Sequence, residues 1–105
     1  MILYNTTVIV EHAHHAAWLQ FMERDYIPFL LESGLFEGYQ LCRVVSVDET
    51  DGLTYAFLLE LASRPTFEVY REKHAAAHEQ MHDGKWREKA VVFRSVLDVV
   101  ASGKA

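Results

Sequence analysis

Three histidines spaced four residues apart are the side chains of this sequence that are best placed to do chemistry. His74, His78 and His82 lie in the segment 67–82, FEVYREKHAAAHEQMH. Its apolar residues recur at the spacing of a helix that packs one stripe against a sheet. The predicted stripe consists of Phe67, Tyr70, His74, Ala77 and Met81. We therefore expect His74 to point into the interior, with His78 at the edge of the stripe and His82 on its flank.

These histidines suit two kinds of function and one structural role. Residues i and i+4 are neighbours on a helix, so His74 with His78, or His78 with His82, suits a shared metal ion. All three do not, because His74 and His82 lie about 12 Å apart along the helix axis at roughly 1.5 Å per residue. His74 also suits a ligand-binding role in a pocket. In the structural role, His74 is a hydrogen-bonded core residue, and the other two are solvated.

Loops supply further metal-ligand types at one edge of the predicted sheet. That edge collects His12, His14, His15, Asp48, Glu49 and Asp51, together with His78 and His82. Such donors suit a divalent ion, but a polar edge is also what loops facing water require. No CxxC or HExxH motif is present. We therefore predict adventitious ion binding rather than a functional metal site, and the cofactor stays unknown.

Polar residues in the predicted strands and aromatic residues complete the candidate set. Arg43 and Arg94 suit bidentate binding of a carboxylate in a pocket, or ion pairs at the sheet rim or at a dimer interface. Cys42 has no histidine beside it in the sequence and is expected to be a small buried hydrophobe. The aromatic residues that would form the core, or wall a cavity, are Trp18, Phe21, Phe67, Tyr70 and Trp86.

Runs of β-branched and aromatic residues predict four strands that position these side chains. In chain order they cover residues 2–10, 35–47, 54–61 and 91–100. The polar segment between the second and third strands ends in Asp51-Gly52, which suits a hairpin turn. Both faces of the first strand carry apolar residues, so neither face is expected to lie wholly in water.

Two helices fall between these strands. Pro28 must kink or restart the first helix, and Gly34 is free to adopt the left-handed conformation that ends it. Ser63 is a suitable N-cap for the second helix. Asp83 and Gly84 are predicted to end the second helix before a short connector.

The resulting order, β-α-β-β-α-β, is that of the ferredoxin-like α+β sandwich. In that fold a four-stranded antiparallel sheet carries both helices on one face. The other face would then be open although its residues are apolar. Two sheets packed face to face would cover both faces and close a dimeric α+β barrel. We therefore predict a homodimer formed through the open sheet face.

Length and composition limit the class of protein. At 105 residues the chain suits one domain, 1–101, with a frayed tail at 102–105. The net charge is −5 and the basic residues are scattered, which argues against nucleic-acid binding. No apolar run approaches the ~20 residues of a membrane span, and the start lacks the features of a signal peptide. With a single cysteine, the chain is expected in the cytoplasm.

Several stretches of the sequence resemble a small bacterial family known as domain of unknown function 4286. They are MILYNTTV at the start, the IP…ESGLFEGYQLCRVV run from Ile27 to Val45, GLTYAF from Gly52, EKHA at Glu72 to Ala75, and VVFRSVL from Val91. The resemblance covers almost the whole chain and implies a ferredoxin-like fold of dimeric-barrel type without an established activity.

The chain departs from this family at one position that bears on function. Members commonly carry His-Ile-Pro where this sequence has Tyr26-Ile27-Pro28. If that histidine is catalytic in the relatives, Tyr26 either replaces it as a weaker acid or marks a lost activity.

By fold analogy, the first hypothesis is a small-molecule pocket between helices and sheet. Cofactor-independent monooxygenases, haem-degrading oxygenases and small isomerases look like this in outline. Haem-degrading members pair an asparagine on the first strand with a histidine on the second helix, as Asn5 and His74 would. The tryptophan that those enzymes use has no clear match, and Phe67 lies nearest.

In this hypothesis each candidate residue has a role. His74 is a general base or axial ligand, Tyr26 is a secondary acid, and Asn5 or Arg94 polarises the substrate. The remaining predicted ligand-binding residues are Arg43, His78, Trp18 and Tyr70. The alternative is a non-catalytic homodimer that binds a partner or regulates, with structural histidines. We favour the pocket, because a histidine at the centre of an apolar stripe is costly unless something pairs with it.

Overall fold

A computed structural model describes all residues, 1–105, and arranges them as four strands and two long helices. The strands are β1 (Ile2–Val10), β2 (Gly38–Arg43), β3 (Leu53–Leu61) and β4 (Ala90–Asp98). Helix α1 covers residues 15–31 and helix α2 covers residues 64–86. The predicted bounds of β1 are confirmed, whereas β2 is much shorter than the predicted 35–47. Neither helix has the length and apolar character needed to cross a membrane.

The four strands form one antiparallel sheet in the order β2-β3-β1-β4. β1 is central, since Tyr4 lies opposite Leu59 of β3 on one side and Val96 of β4 on the other. β2 and β4 are therefore the edge strands. One helix follows β1 and the other follows β3, which confirms the predicted ferredoxin-like α+β sandwich.

The two faces of the sheet differ in what covers them. Successive residues of a strand point to opposite faces. On the face that carries both helices, β1 buries Ile2, Tyr4, Val8 and Val10. The other face is open and leaves apolar side chains of β4 exposed: Val91 at 53%, Phe93 at 58% and Leu97 at 46%. Cys42 of edge strand β2 lies on this open face and is exposed in the single chain, so its thiol is not part of the core beneath the helices.

Each helix contains one widened, π-helical turn, Met22–Tyr26 in α1 and Arg71–Ala75 in α2. A π turn holds an extra residue, so the residues after it are rotated by about 100° relative to a regular helix. The inward positions of α2 are Tyr70, Ala75, His78, His82 and Trp86. In α1 the π turn is followed by the regular segment Ile27–Leu31, which has Pro28 as its second residue. Pro28 thus directly follows the break in α-helical hydrogen bonding, where the missing N–H of proline is tolerated.

The end of α2 differs from the prediction. Gly84 lies inside the helix, which continues to Trp86, and its backbone is not left-handed. The additional residues bury the indole of Trp86, which is 3% exposed and packs 5.6 Å from the ring of Phe21, measured between centroids. Burial of an indole outweighs the helix-weakening effect of one glycine, which is about 1 kcal/mol.

Three small residues define the ends of elements. Gly34 has a φ of 72° just after α1, as predicted. Ser63 caps α2 by accepting a hydrogen bond from the backbone N–H of Thr66 at 3.3 Å. Gly52 lies against the end of β1, where a Cβ atom would be 2.5 Å from the carbonyl oxygen of Val10. Only glycine allows β3 to begin this close to β1.

Candidate functional site

His78 and His82, rather than His74, are the histidines of α2 that face the interior. His78 is 3% exposed and His82 is 1% exposed, whereas His74 is half-buried. The cause is the π turn, which brings Ala75 into the inward position that a regular helix would give to His74. The stripe predicted from a regular helical period is therefore wrong at His74, which is only half-buried, and at Ala77, which is exposed, whereas Met81 does pack against the core.

His82 is hydrogen-bonded through both ring nitrogens. Its Nε2 accepts a hydrogen bond from the indole N–H of Trp18 at 2.9 Å, and its Nδ1 lies 2.9 Å from Oδ1 of Asp83. Because an indole nitrogen only donates, Nε2 is unprotonated and the Nδ1 proton is donated to Asp83. Burial lowers the pKa of His82, and the hydrogen bond to Asp83 opposes this only in part. The ring is thus favoured in its neutral form at neutral pH.

Asp83 joins His82 to Arg94 of β4. The guanidinium of Arg94 donates from Nη1 to Oδ2 at 2.9 Å and from Nη2 to Oδ1 at 2.8 Å, a bidentate pair. Burial acts to raise the pKa of Asp83, but hydrogen bonds from Arg94 and His82 outweigh it, so that this pKa is lowered. Arg94 lies opposite Thr6 in the sheet and therefore on the same face as Tyr4.

Arg94 also contacts Glu79, one turn before Asp83 in α2. Its Nε lies 3.3 Å from Oε1 of Glu79, and the same oxygen accepts a hydrogen bond from the hydroxyl of Tyr4 at 3.0 Å. Burial, followed by the Glu79 carboxylate, raises the pKa of Tyr4, so its hydroxyl stays protonated. These contacts form one continuous network, which we call the polar relay. Its members are Trp18, His82, Asp83, Arg94, Glu79 and Tyr4.

The Glu79 end of the polar relay opens into a cleft between α2 and β4, whereas the Trp18 end is buried. The cleft has a volume of about 350 Å³, within the range of about 300–1,000 Å³ for small-molecule sites. It is lined by Tyr4, Phe67, Arg71, Ala75, Glu79, Arg94, Ser95 and Val96. The side chain of Glu79 is 35% exposed, so a ligand in the cleft can reach its carboxylate.

His78 belongs to a second group of contacts beside the polar relay. Its Nδ1 lies 2.9 Å from the hydroxyl of Tyr70, and its ring stacks on that of His74 at 5.7 Å between centroids. Burial, followed by the nearby His74, lowers the pKa of His78. Tyr70 packs edge-on against Tyr4 at 5.9 Å. This group therefore supports a wall of the cleft without lining it.

The structure brings five of the sequence-predicted site residues together. Arg94 and Trp18 are members of the polar relay, and Tyr70 and His78 pack beside it. Tyr26 is 6% exposed, and its ring centroid is 5.5 Å from that of the buried histidine of the relay. Burial raises the pKa of Tyr26, which makes its hydroxyl a poor acid near neutral pH.

The other predicted residues lie apart from the cleft. Asn5 is on the open face of the sheet, where its Nδ2 donates to Thr7 Oγ1 at 3.0 Å. The sheet separates Asn5 from His74, because strand residues alternate between faces and Tyr4 takes the inward position. The pairing of Asn5 with His74 expected by analogy is therefore not formed. Arg43 ends edge strand β2, where its side chain is 47% exposed and pairs with Glu49.

Glu79 and Asp83 are site residues that the sequence analysis did not identify. Asp83 precedes Gly84, and this dipeptide is typical of a helix end, which obscures any role of the carboxylate. The signal that points to them is their i, i+4 spacing on one helix face. A lone arginine inside a predicted strand, Arg94, requires such partners if it is buried.

The polar loops do not assemble a metal site. No group of three or more histidine, cysteine, aspartate or glutamate side chains is close enough to hold a metal ion. At the predicted polar edge, Nε2 of His12 lies 2.6 Å from the backbone carbonyl oxygen of Glu49. His78 and His82, which were expected near this edge, are instead buried in the protein.

The family of the chain follows from a sequence comparison. The model of a domain of unknown function, DUF4286, matches residues 1–100. The chain belongs to this family. No curated protein matches the DUF4286 chain.

Solved structures share the fold of the DUF4286 chain over nearly its whole length. A dimeric ferredoxin-like protein from an uncultured marine organism has a TM-score of 0.70 at 9% identity, with 100% of both chains covered. A MhuD variant with two manganese protoporphyrin IX molecules bound per active site has a TM-score of 0.71 at 17% identity, with 100% of both chains covered. An antibiotic biosynthesis monooxygenase has a TM-score of 0.58 at 17% identity, covering 96% of this chain and 100% of the other. At these identities the similarity shows the fold alone.

The interior of the DUF4286 chain does not fit a porphyrin like those bound in the MhuD variant. The space between helices and sheet is filled by side chains such as Trp18, Phe57 and Tyr70, which are at most 1% exposed. Both ring nitrogens of His82 are engaged, and no histidine lines the cleft. An axial imidazole ligand facing a cavity is therefore lacking at this site.

Proposed function

We propose that the chain binds a small neutral molecule in the cleft between α2 and β4 and removes a proton from it, as a cofactor-independent isomerase or monooxygenase would. The observation that carries this proposal is the Glu79 carboxylate, which lines the cleft. Tyr4 and Arg94 both engage its Oε1, which leaves Oε2 as the acceptor for a substrate proton. A positioned carboxylate within reach of an acidic C–H or O–H group is what general-base catalysis requires.

The charges around the cleft disfavour an anionic substrate. Arg94 is paired with Asp83 and Glu79, and Arg71 is paired with Glu68. Three carboxylates thus outnumber two guanidinium groups, so an anion would find no unpaired cation there. The apolar residues of the lining suit a carbon skeleton with one acidic position.

The polar relay holds the base in place. Asp83 orients Arg94, which in turn contacts Glu79. A base held in place in this way reduces the entropy that is lost when base and substrate reach the reactive arrangement. Tyr4 stays protonated and donates to the base. Transfer of a proton to Oε2 leaves an enolate or phenolate. An isomerase-type reaction returns the proton at another carbon, and a monooxygenase-type reaction needs dioxygen as oxidant. His74, the base predicted from the sequence, lies outside the cleft lining, so we assign this role to Glu79.

Glu79→Gln is expected to slow proton exchange of a neutral ketone by at least about 100-fold, since general-base catalysis contributes roughly 10²–10⁴-fold. The probe is phenylacetone, whose CH₂ group between ring and carbonyl is acidic. Deuterium incorporation at this position in D₂O is followed by ¹H NMR. Glutamine keeps the size of the side chain and can still accept the hydrogen bond from Tyr4, but it cannot take up the proton.

The matched control is Glu72→Gln, since Glu72 is an exposed carboxylate on the same helix outside the cleft. This variant should keep the wild-type exchange rate. The proposal is contradicted if wild-type protein exchanges phenylacetone no faster than buffer does. It is also contradicted if Glu79→Gln exchanges it as fast as the wild type.

A non-catalytic function is the second candidate, and the buried histidines favour it. His82 has both ring nitrogens hydrogen-bonded and is 1% exposed, and His78 is bonded to Tyr70 and 3% exposed. Both contacts suit structural residues. In this alternative the polar relay only fastens α2 to β4, and the chain is a homodimeric binding or regulatory module. A wild-type protein without exchange activity on phenylacetone would favour it.

With either function, we infer that the chain forms a homodimer through the open face of the sheet. The exposed Val91, Phe93 and Leu97 form an apolar surface there that needs a cover. Two such faces, packed about 10 Å apart, would form a dimeric α+β barrel in which each copy covers the other. The dimeric ferredoxin-like protein of the same fold supports the formation of a dimer.

Phe93→Lys is expected to weaken the dimer at least about 100-fold, because a lysine ammonium would be buried without a partner in the interface. Phe93 is 58% exposed, so the fold of one chain should tolerate the change. Multi-angle light scattering after gel filtration measures the oligomer. Val69→Lys is the control, because Val69 is an exposed apolar residue of α2, at 39%, and this variant should stay dimeric. A Phe93→Lys protein that remains a dimer would place the interface elsewhere.

A further inference from the structure

The cleft at Glu79 has a second hollow beside it along β4. This hollow has a volume of about 230 Å³ and is lined by Ile2, Arg64, Phe67, Glu68, Val96 and Asp98. Phe67 and Val96 line both spaces, which are therefore adjacent; we call the two spaces together the groove between α2 and edge strand β4. From Arg94 to Asp98 the groove follows about 13 Å of strand, at roughly 3.3 Å per residue.

The groove has two polar ends and an apolar middle. One end is the Glu79 carboxylate site. The other is the ion pair between Nη2 of Arg64 and Oδ2 of Asp98 at 2.9 Å, whose side chains are 74% and 45% exposed. Phe67 and Val96 lie between the ends, and the ring of Phe67 meets that of Tyr4 edge-on at 5.7 Å. The middle of the groove therefore offers an aromatic wall to a flat apolar molecule.

We propose that the ligand is an elongate, neutral aryl ketone or phenol with at least two rings. Its acidic group lies at Glu79, and its planar body extends along β4 between Phe67 and Val96 into the second hollow. Length follows from the adjacency of the two spaces, which share Phe67 and Val96 in their linings. Neutrality follows from the charges, because the far end is occupied by the compensated pair of Arg64 and Asp98. This inference rests on the proposed function and names its substrate class.

The test compares two ketones that differ only in length, phenylacetone and its 4-biphenylyl analogue. Wild-type protein is expected to bind the biphenylyl ketone about tenfold more tightly or better, because its second ring leaves water for the second hollow. Ligand-observed NMR titration measures both dissociation constants. Equal affinities, with phenylacetone still exchanged in a Glu79-dependent manner, would overturn the inference and leave the proposed function standing. Absence of both binding and exchange would overturn both.

A substitution in the second hollow gives an independent test. Arg64→Trp fills this hollow from an exposed position that neither lines the first cleft nor pairs with a residue lining it. The preference for the biphenylyl ketone should disappear, while exchange of phenylacetone persists. Val69→Trp, on the same helix and outside both spaces, is the matched control and should keep the preference. A preference that survives Arg64→Trp would place the second ring elsewhere and overturn the inference.

Discussion

Trp18→Phe is expected to lower the free energy of unfolding by about 2–4 kcal/mol. Trp18 is 0% exposed, and its indole N–H donates to Nε2 of His82 at 2.9 Å. Phenylalanine removes this donor and leaves a buried acceptor unpaired, which costs about 1–3 kcal/mol. It also leaves a cavity where the indole was, which adds to the loss. Urea unfolding followed by far-UV circular dichroism measures the difference.

Trp86 provides a matched control for this prediction. It is 3% exposed, like Trp18, but its Nε1 has no hydrogen-bond partner. Trp86→Phe removes the same volume together with an unsatisfied donor, so it should cost only about 1–2 kcal/mol. Equal losses at the two positions would show that the hydrogen bond from Trp18 to His82 adds nothing to stability.

Stability is expected to fall steeply as the pH is lowered from about 6.5, because His78 and His82 are buried as neutral rings. Burial lowers the pKa of each ring in the folded protein. In the unfolded chain both titrate near their ordinary value of about 6.5. Below that pH the unfolded chain binds protons that the folded protein does not, so the free energy of unfolding decreases with falling pH. Above it, the contribution of both histidines is fully present.

The size of the pH effect identifies the responsible side chains. Each histidine should contribute a slope of up to about 1.4 kcal/mol per pH unit until its folded pKa is reached. Urea unfolding at a fixed protein concentration, at several pH values below neutrality, measures the slope. His78→Gln and His82→Gln should each remove the contribution of one histidine to this slope, since glutamine is polar but does not titrate. A wild-type stability that does not change in this range would show that both rings are protonated in the folded protein.

The parts of the fold that could be predicted depend on a few consecutive residues. The β-branched run of β1, the N-cap Ser63 and the left-handed Gly34 are signals of this kind, and the structure confirms each of them. The element order, and with it the ferredoxin-like fold, follows from such local signals. Arg94 and Trp18 could be chosen by residue type, because a charged residue in a strand and a large aromatic residue in a helix need partners.

The candidate site could be predicted only in part, because it depends on the phase of α2. A period of 3.6 residues places His74 inward, whereas the π turn at Arg71–Ala75 places His78 and His82 there. The extra residue of the π turn leaves no signal in the hydrophobic pattern, so the change in phase cannot be predicted from that pattern. Asp83 likewise looked like a helix end, since its partner Arg94 lies on another element.

The amino-acid sequence alone is sufficient to predict the family, the order of the helices and strands, and the residue types available for chemistry. Contacts between distant segments decide where those residues meet. β1 has apolar residues on both faces, so its own sequence does not determine whether Tyr4 or Asn5 points into the interior. The packing of the helices on one face places Tyr4 there. The Glu79 carboxylate meets Tyr4 and Arg94 only when α2 packs on β1 and β4. Local conformational preferences set each element, whereas burial and ion pairing across the sheet set the site.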